Sequence, residues 1–138
     1  VTERWIGGML TNVATVTAQI KKLKDLEKRM ASGDLEKRYN KLEVQRFQEE
    51  IDLLDAKYSG IKDLNGRPGL IIVFDTIVDK NAIAEAKNLN VPVVGIVDTN
   101  ADPSVVDYAI PGNDDAIKGT ELLLNYFVEA VAEGKIKE

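Results

Sequence analysis

Neither cysteine nor histidine occurs among the 138 residues. Without cysteine there is no disulfide framework and no thiolate nucleophile or ligand. Without histidine the protein lacks the commonest general acid/base near neutral pH and the commonest metal ligand. Zinc sites, Ser–His and Cys–His pairs and HExxH arrangements are excluded together. Catalysis would have to rest on carboxylates, lysines or hydroxyls, with a hard cation as the fitting metal. Long apolar runs are missing too. The longest, Leu70 to Phe74, falls far short of the roughly 20 residues that cross a bilayer. No charged-then-apolar leader opens the sequence. Neither GxGxxG nor GxxxxGK[ST] is present. The last helix is expected to open on Asp114 and Asp115, which favour its dipole but repel an anion.

What is present fits a soluble, intracellular globular protein, with 44% apolar and 30% charged residues. A polypeptide of this length can bury roughly 68% of its unfolded surface as one ordinary domain. The net charge of −5 is unevenly spread. Residues 1–68 hold 13 basic against 11 acidic side chains, a balance of +2, whereas residues 69–138 hold 5 against 12, a balance of −7. Basic charge is therefore concentrated in the first half, where it can form a patch or remain a solvated helix surface.

After an opening loop the pattern turns helical at Thr11 or Asn12, either of which can cap a first turn. Val13, Val16, Ile20, Leu23, Leu26 and Met30 then make a narrow three-four stripe, the seam of a two-helix coiled coil. Ser32-Gly33-Asp34 breaks it, with Gly33 suited to a left-handed helix end. A second helix starts at Asn40 with Glu43 placed for a capping box. Its stripe is Val44, Phe47, Ile51, Leu54 and Tyr58, and Ser59-Gly60 ends it. Two matched stripes on a short link predict an antiparallel hairpin projecting from the body.

From residue 70 the period changes. LIIVF (70–74) reads as a strand buried on both faces. A helix capped near Asp79 follows, with Ala82, Ile83, Ala86 and Leu89 inward. PVVGIV (92–97) is a second buried strand, completing a βαβ unit. A short third strand is expected at VDYAI (106–110), its direction undetermined by the spacing. A final helix should bury Ile117, Leu124, Phe127 and Val131. Three strands and two helices leave a parallel sheet short of cover, and the sequence begins at Val1, so a preceding segment is expected to supply the rest.

Ligands of open α/β sheets sit outside the carboxyl ends of the strands. Asp75 and Asp98, with Asp102 third, could hold Mg²⁺ there in a receiver-like site, but no nucleophile or base has an obvious orienting partner. The alternative is that these residues cap helices and hold tight loops. Lys21, Lys22, Lys24, Lys28 and Arg29, with Lys37, Arg38 and Lys41 at the turn, could neutralise RNA phosphates. Asp25, Glu27, Asp34 and Glu36 among them make a salt-bridged surface the competitor. Arg4 and Trp5 beside Gly7-Gly8 could stack on a base, or Trp5 could be buried.

RWIGGMLTN (4–12), GIKDL (60–64), AIAEAKNLNVPVVGIVDTNADP (82–103) and VDYAIPGNDDAIKG (106–119) together resemble the universal protein two of the small ribosomal subunit, in its bacterial form. The resemblance spans nearly all of the sequence, and VDTN..P followed by IP.NDDA is its most specific part. It implies a non-catalytic ribosomal protein of the cytoplasm with no cofactor, a flavodoxin-like parallel α/β sheet, of which three strands are here, and a protruding antiparallel coiled-coil hairpin. Residues 1–68 would be the opening loop and hairpin, and 69–138 the C-terminal part of the α/β domain. It further implies that all three strands are parallel. Partners would be small-subunit rRNA, neighbouring small-subunit proteins and the mRNA-binding ribosomal protein one. RNA contact is then expected from Arg4, Trp5, Thr11, Asn12, Lys21, Lys22, Lys24, Lys28, Lys37, Arg38 and Lys41, with loop recognition at Asn100 and Asn113. Three departures accompany it. The family's N-terminal portion is absent, its early basic charge goes with it, and FQEEIDLLDAK in the second helix is more acidic than usual.

Overall fold

The computed structural model describes residues 1, 3–113 and 116–136, so the helix start expected at Asp114 and Asp115 lies outside the described residues. The protein divides into two units, Val1–Pro68 and Gly69–Glu138, each described by itself below.

The first unit begins with helix α1, Val13–Ala31, capped by Asn12, whose side chain accepts from the Thr15 N–H at 3.4 Å. That bond satisfies one of the unpaired donors at the helix start. Gly33 ends α1 by taking a left-handed conformation, φ +68°, that a side chain would oppose. The link is itself helical: α2 spans Asp34–Arg38 and buries Leu35 completely. No apolar period could show so short a helix.

Helix α3, Lys41–Tyr58, carries the expected capping box. The Asn40 side chain accepts from the Glu43 N–H at 2.9 Å, and Glu43 accepts from the Asn40 N–H at 3.0 Å. A tight turn over Ser59–Ile61 follows. Leu23 and Leu26 of α1 pack with Ile51, Leu54 and Tyr58 of α3, and Met9 closes the cluster with Trp5 and Ile6 beside it. One member of the predicted stripe is wrong: Val13 is 61% exposed, because the first turn of α1 extends beyond the cluster.

In the second unit three strands form a parallel sheet in the order β1-β2-β3. Strand β1 is Ile71–Val73, β2 is Val93–Val97 and β3 is Tyr108–Pro111. Ile71 aligns with Val93 and Val73 with Gly95, while Val94 aligns with Tyr108 and Val97 with Pro111. Helix α4, Lys80–Asn88, joins β1 to β2 and buries Ala82, Ile83, Glu85 and Ala86. Helix α5 spans Ile117–Ile136. Mixed α/β architecture with a parallel three-stranded sheet is therefore the fold.

Three expectations need correction here. Run 70–74 is not buried on both faces: β1 is an edge strand, Leu70 is exposed, and only Val73 is buried. The third strand begins later than 106, because Val106 caps the preceding turn and Asp107 bonds across to Val93 with both its N–H and its carboxylate. Of the predicted inward face of α5, Ile117, Leu124 and Val131 are exposed. Its contact is through a neighbouring arc, with Phe127 edge-on to Phe74 at 5.9 Å and Leu123 beside Gly112. The apolar arc of α5 is wider than the surface it covers.

These burial differences set opposite outcomes for one substitution. Leu23→Ala, at a fully buried position, should cost about 2–5 kcal/mol. Leu124→Ala, half-exposed on α5, should cost less than about 1 kcal/mol. Denaturant unfolding of the two variants checks this.

Candidate nucleic-acid interface

Cations on the first unit fall into two groups. In the first, the positive charge is already engaged by a carboxylate of the fold. Lys22 pairs with Glu50 across from α1 to α3. Lys24 reaches Asp63 at 3.1 Å. Asp34 lies between two guanidiniums, taking Arg38 at 2.8 Å and Arg29 at 3.3 Å. Arg29 is held more firmly charged than usual, first by a hydrogen bond with Tyr39 and then by Asp34. The second group consists of Arg4, Lys21, Lys28, Lys37, Lys41, Arg46 and Lys57, all exposed, with no ion pair among the described residues. Lys21, Lys24 and Lys28 fall at three-four spacing along one stripe of α1.

Near the start of the sequence, Trp5 is half-buried against the core cluster while Arg4 is exposed, so the two do not form an exposed pair. Gly8 has φ +92°, and a Cβ there would meet the Asn12 side chain at 3.1 Å. The amide oxygen of the Asn12 side chain is committed to capping α1, and Thr11 beside it is exposed.

Lys62 carries no signal in the sequence pattern, because it follows α3 outside any periodic stripe. Its ammonium lies 2.6 Å from Glu27 of α1 and 3.6 Å from Asp55 of α3. Tyr39 is equally silent in the sequence; it packs edge-on to Phe47 at 5.1 Å.

The acidic loops of the second unit bond mainly to their own backbone. Asp75 accepts from the Ile77 and Val78 N–H groups at 2.9 and 2.8 Å. Asp98 accepts from the adjacent Thr99 N–H. Asp102 accepts from the Ser104 N–H at 2.8 Å, and bonding to Ser104 lowers its carboxyl below the usual range. Burial, then repulsion from Asp75, raises the Asp79 carboxyl. Among the described residues, no three such side chains meet as a metal site would require. An open cleft of about 770 Å³ lies at the carboxyl ends of β2 and β3, lined by Asp98, Thr99, Pro103 and Asn113 among others. Asn113 thus borders the cleft and Asn100 does not.

A mixed α/β architecture with three parallel strands agrees with what the resemblance implied. Residues 1–134 match the family described as Ribosomal protein S2, and the chain belongs to that family. Among its relatives, the small ribosomal subunit protein uS2 of Pseudoalteromonas atlantica is 49% identical over 137 residues. That alignment covers 99% of this chain and 56% of the relative, so the chain spans a little over half of that protein's length.

Lys62 generates a pH prediction. Its proton is held above the ordinary lysine value, chiefly by the Glu27 hydrogen bond and against the opposing effect of burial. A raised folded value gives a stability contribution that is complete below the unfolded value and lost as pH rises through the folded one. Lys62→Met should therefore destabilise the protein at neutral pH, with the deficit shrinking above the ordinary lysine range. Denaturant titrations of both proteins across alkaline pH measure this.

Proposed function

We propose that this chain is a non-catalytic structural constituent of the small ribosomal subunit, acting in the cytoplasm in the translating ribosome. Its contacts in this reading are small-subunit rRNA and neighbouring ribosomal proteins, the mRNA-binding ribosomal protein one included. The observation that carries it is the family match over residues 1–134. The concentration of basic side chains in residues 1–68 agrees with it.

Residues 1–68 then form an opening loop and an antiparallel coiled-coil hairpin, and 69–138 the C-terminal part of a flavodoxin-like domain. Support for the hairpin comes from the three-four stripes and from Leu23 and Leu26 packing with Ile51 and Leu54. Phosphates are met first by Arg4, Lys21, Lys28, Lys37 and Lys41, whose charges have no ion-pair partner to release among the described residues. Lys22, Lys24 and Arg38 contribute by exchanging a carboxylate for a phosphate, a modest step because exposed ion pairs contribute only about 0–1 kcal/mol. Trp5, Thr11 and Asn12 flank this surface, and Asn100 and Asn113 serve loop recognition. Such contacts give affinity and register with little base specificity.

Replacing Lys21 and Lys28 by Glu together should weaken rRNA binding at low salt. It should also flatten the slope of log affinity against log salt by about 1–2. Filter binding of the full-length polypeptide across salt concentrations measures both, and an unchanged slope would remove α1 from the RNA surface.

A second reading, a protein-interaction module acting through this arm, is favoured by α3. Glu49 and Asp52 are hydrogen-bonded by the neutral Gln45 and Gln48, so their charges stay uncompensated there. Glu49→Lys with Asp52→Lys should then abolish binding of a neighbouring ribosomal protein while rRNA affinity holds or rises. Subunit reconstitution read by mass spectrometry distinguishes the two readings.

A further inference from the structure

Asn65-Gly66 is the sole Asn-Gly step in the sequence, and both residues are exposed. It lies between the turn that follows α3 and the end of the first unit at Pro68. Gly66 has φ +82° with open space where a side chain would stand. The neighbouring Leu64 N–H is held by the Ile61 carbonyl at 3.1 Å, but neither Asn65 nor Gly66 has such a bond among the described residues.

We propose that Asn65 is a site of spontaneous backbone modification in the folded protein, converting to aspartate and isoaspartate through a cyclic imide with Gly66. The Gly66 amide nitrogen, losing its proton to hydroxide, attacks Cγ of Asn65. The bond from Cγ to Nδ2 breaks, ammonia leaves and a five-membered succinimide remains. Water then opens either carbonyl of the ring, giving aspartate at one and isoaspartate at the other. The net change is water consumed and ammonia released, with no oxidant or cofactor. Glycine permits the close approach because no Cβ blocks it and its backbone reaches conformations closed to other residues.

Seven of the eight other asparagines are held back by what surrounds them. Asn12 and Asn40 are helix caps with engaged side chains. Asn81, Asn88 and Asn125 sit within α4 and α5, whose backbone is fixed. Asn90 is followed by buried Val91, and Asn100 by Ala101, each of which presents a Cβ. Conversion at Asn65 takes the balance of residues 1–68 from +2 to +1. The isoaspartyl form also adds a methylene to the backbone just before the second unit begins.

The test uses the whole protein, folded and incubated at mildly alkaline pH, then digested with trypsin and read by electron-transfer mass spectrometry. The fragment spanning 63–80 should gain the mass of an amide-to-acid change and separate into two isomers, the isoaspartyl form in excess. Fragments carrying Asn90, Asn100 and Asn125 should keep their amides, and Asn65→Gln should abolish the signal. Retention of the Asn65 amide in the folded protein, with conversion appearing only in denaturant, would overturn the proposal. So would formation of aspartate without isoaspartate, since direct hydrolysis bypasses the ring.

Discussion

Both outer strands of the second unit hydrogen-bond to β2 and neither to the other, so the sheet depends on how closely its neighbours can approach that central strand. Gly95 sets the limit. At its position a Cβ would stand 2.7 Å from a methyl of Val106, closer than real side chains come, and a tight 3.0 Å from a methyl of Thr76. The absence of that one carbon lets the residue after Asp75 and the residue before Asp107 converge over the middle of β2. The acidic loops are thereby brought back against the sheet, and their carboxylates meet backbone N–H groups instead of one another. Aspartate is well suited to that work, since its short side chain reaches a donor two or three residues on.

Charge organises the first unit in a different way. Apolar residues of α1 and α3 close its core, while the surrounding ring of Lys22, Lys24, Lys62, Glu27, Glu50, Asp55 and Asp63 binds the elements at the surface. What remains positive is what the ring does not use. A net charge taken over the whole sequence hides this division. The acidic excess belongs to residues 69–138, and five of the 13 basic side chains in residues 1–68 are paired internally: Lys22, Lys24, Arg29, Arg38 and Lys62.

Features written into a few adjacent residues were legible in the sequence. The Asn40–Glu43 box, the Asn12 cap and the left-handed Gly33 depend only on local backbone geometry, and each occurs where the residues indicated. The order of strands and helices in the second unit was readable for the same reason, through changes of apolar period. Illegible were properties that depend on distant neighbours. An isoleucine in β1 looks the same whether its strand is central or at an edge. The stripe of Ile117, Leu124 and Val131 marks an apolar face but not which arc of it meets Phe74 and Gly112. At the candidate interface, the lysines could be named from sequence, but which of them already had a carboxylate could not. Lys22 and Glu50 are 28 residues apart.

The three ion pairs made by consecutive residues Lys62 and Asp63 have a mechanical side. Lys62 is fastened to Glu27 and Asp55, and Asp63 to Lys24, so the backbone leaving α3 is tied back to both long helices before it moves on. A pull applied from residue 65 onward therefore loads these side chains first, and the last turn of α3 is sheltered from being unwound end-first. Tension is divided between two helices instead of peeling one.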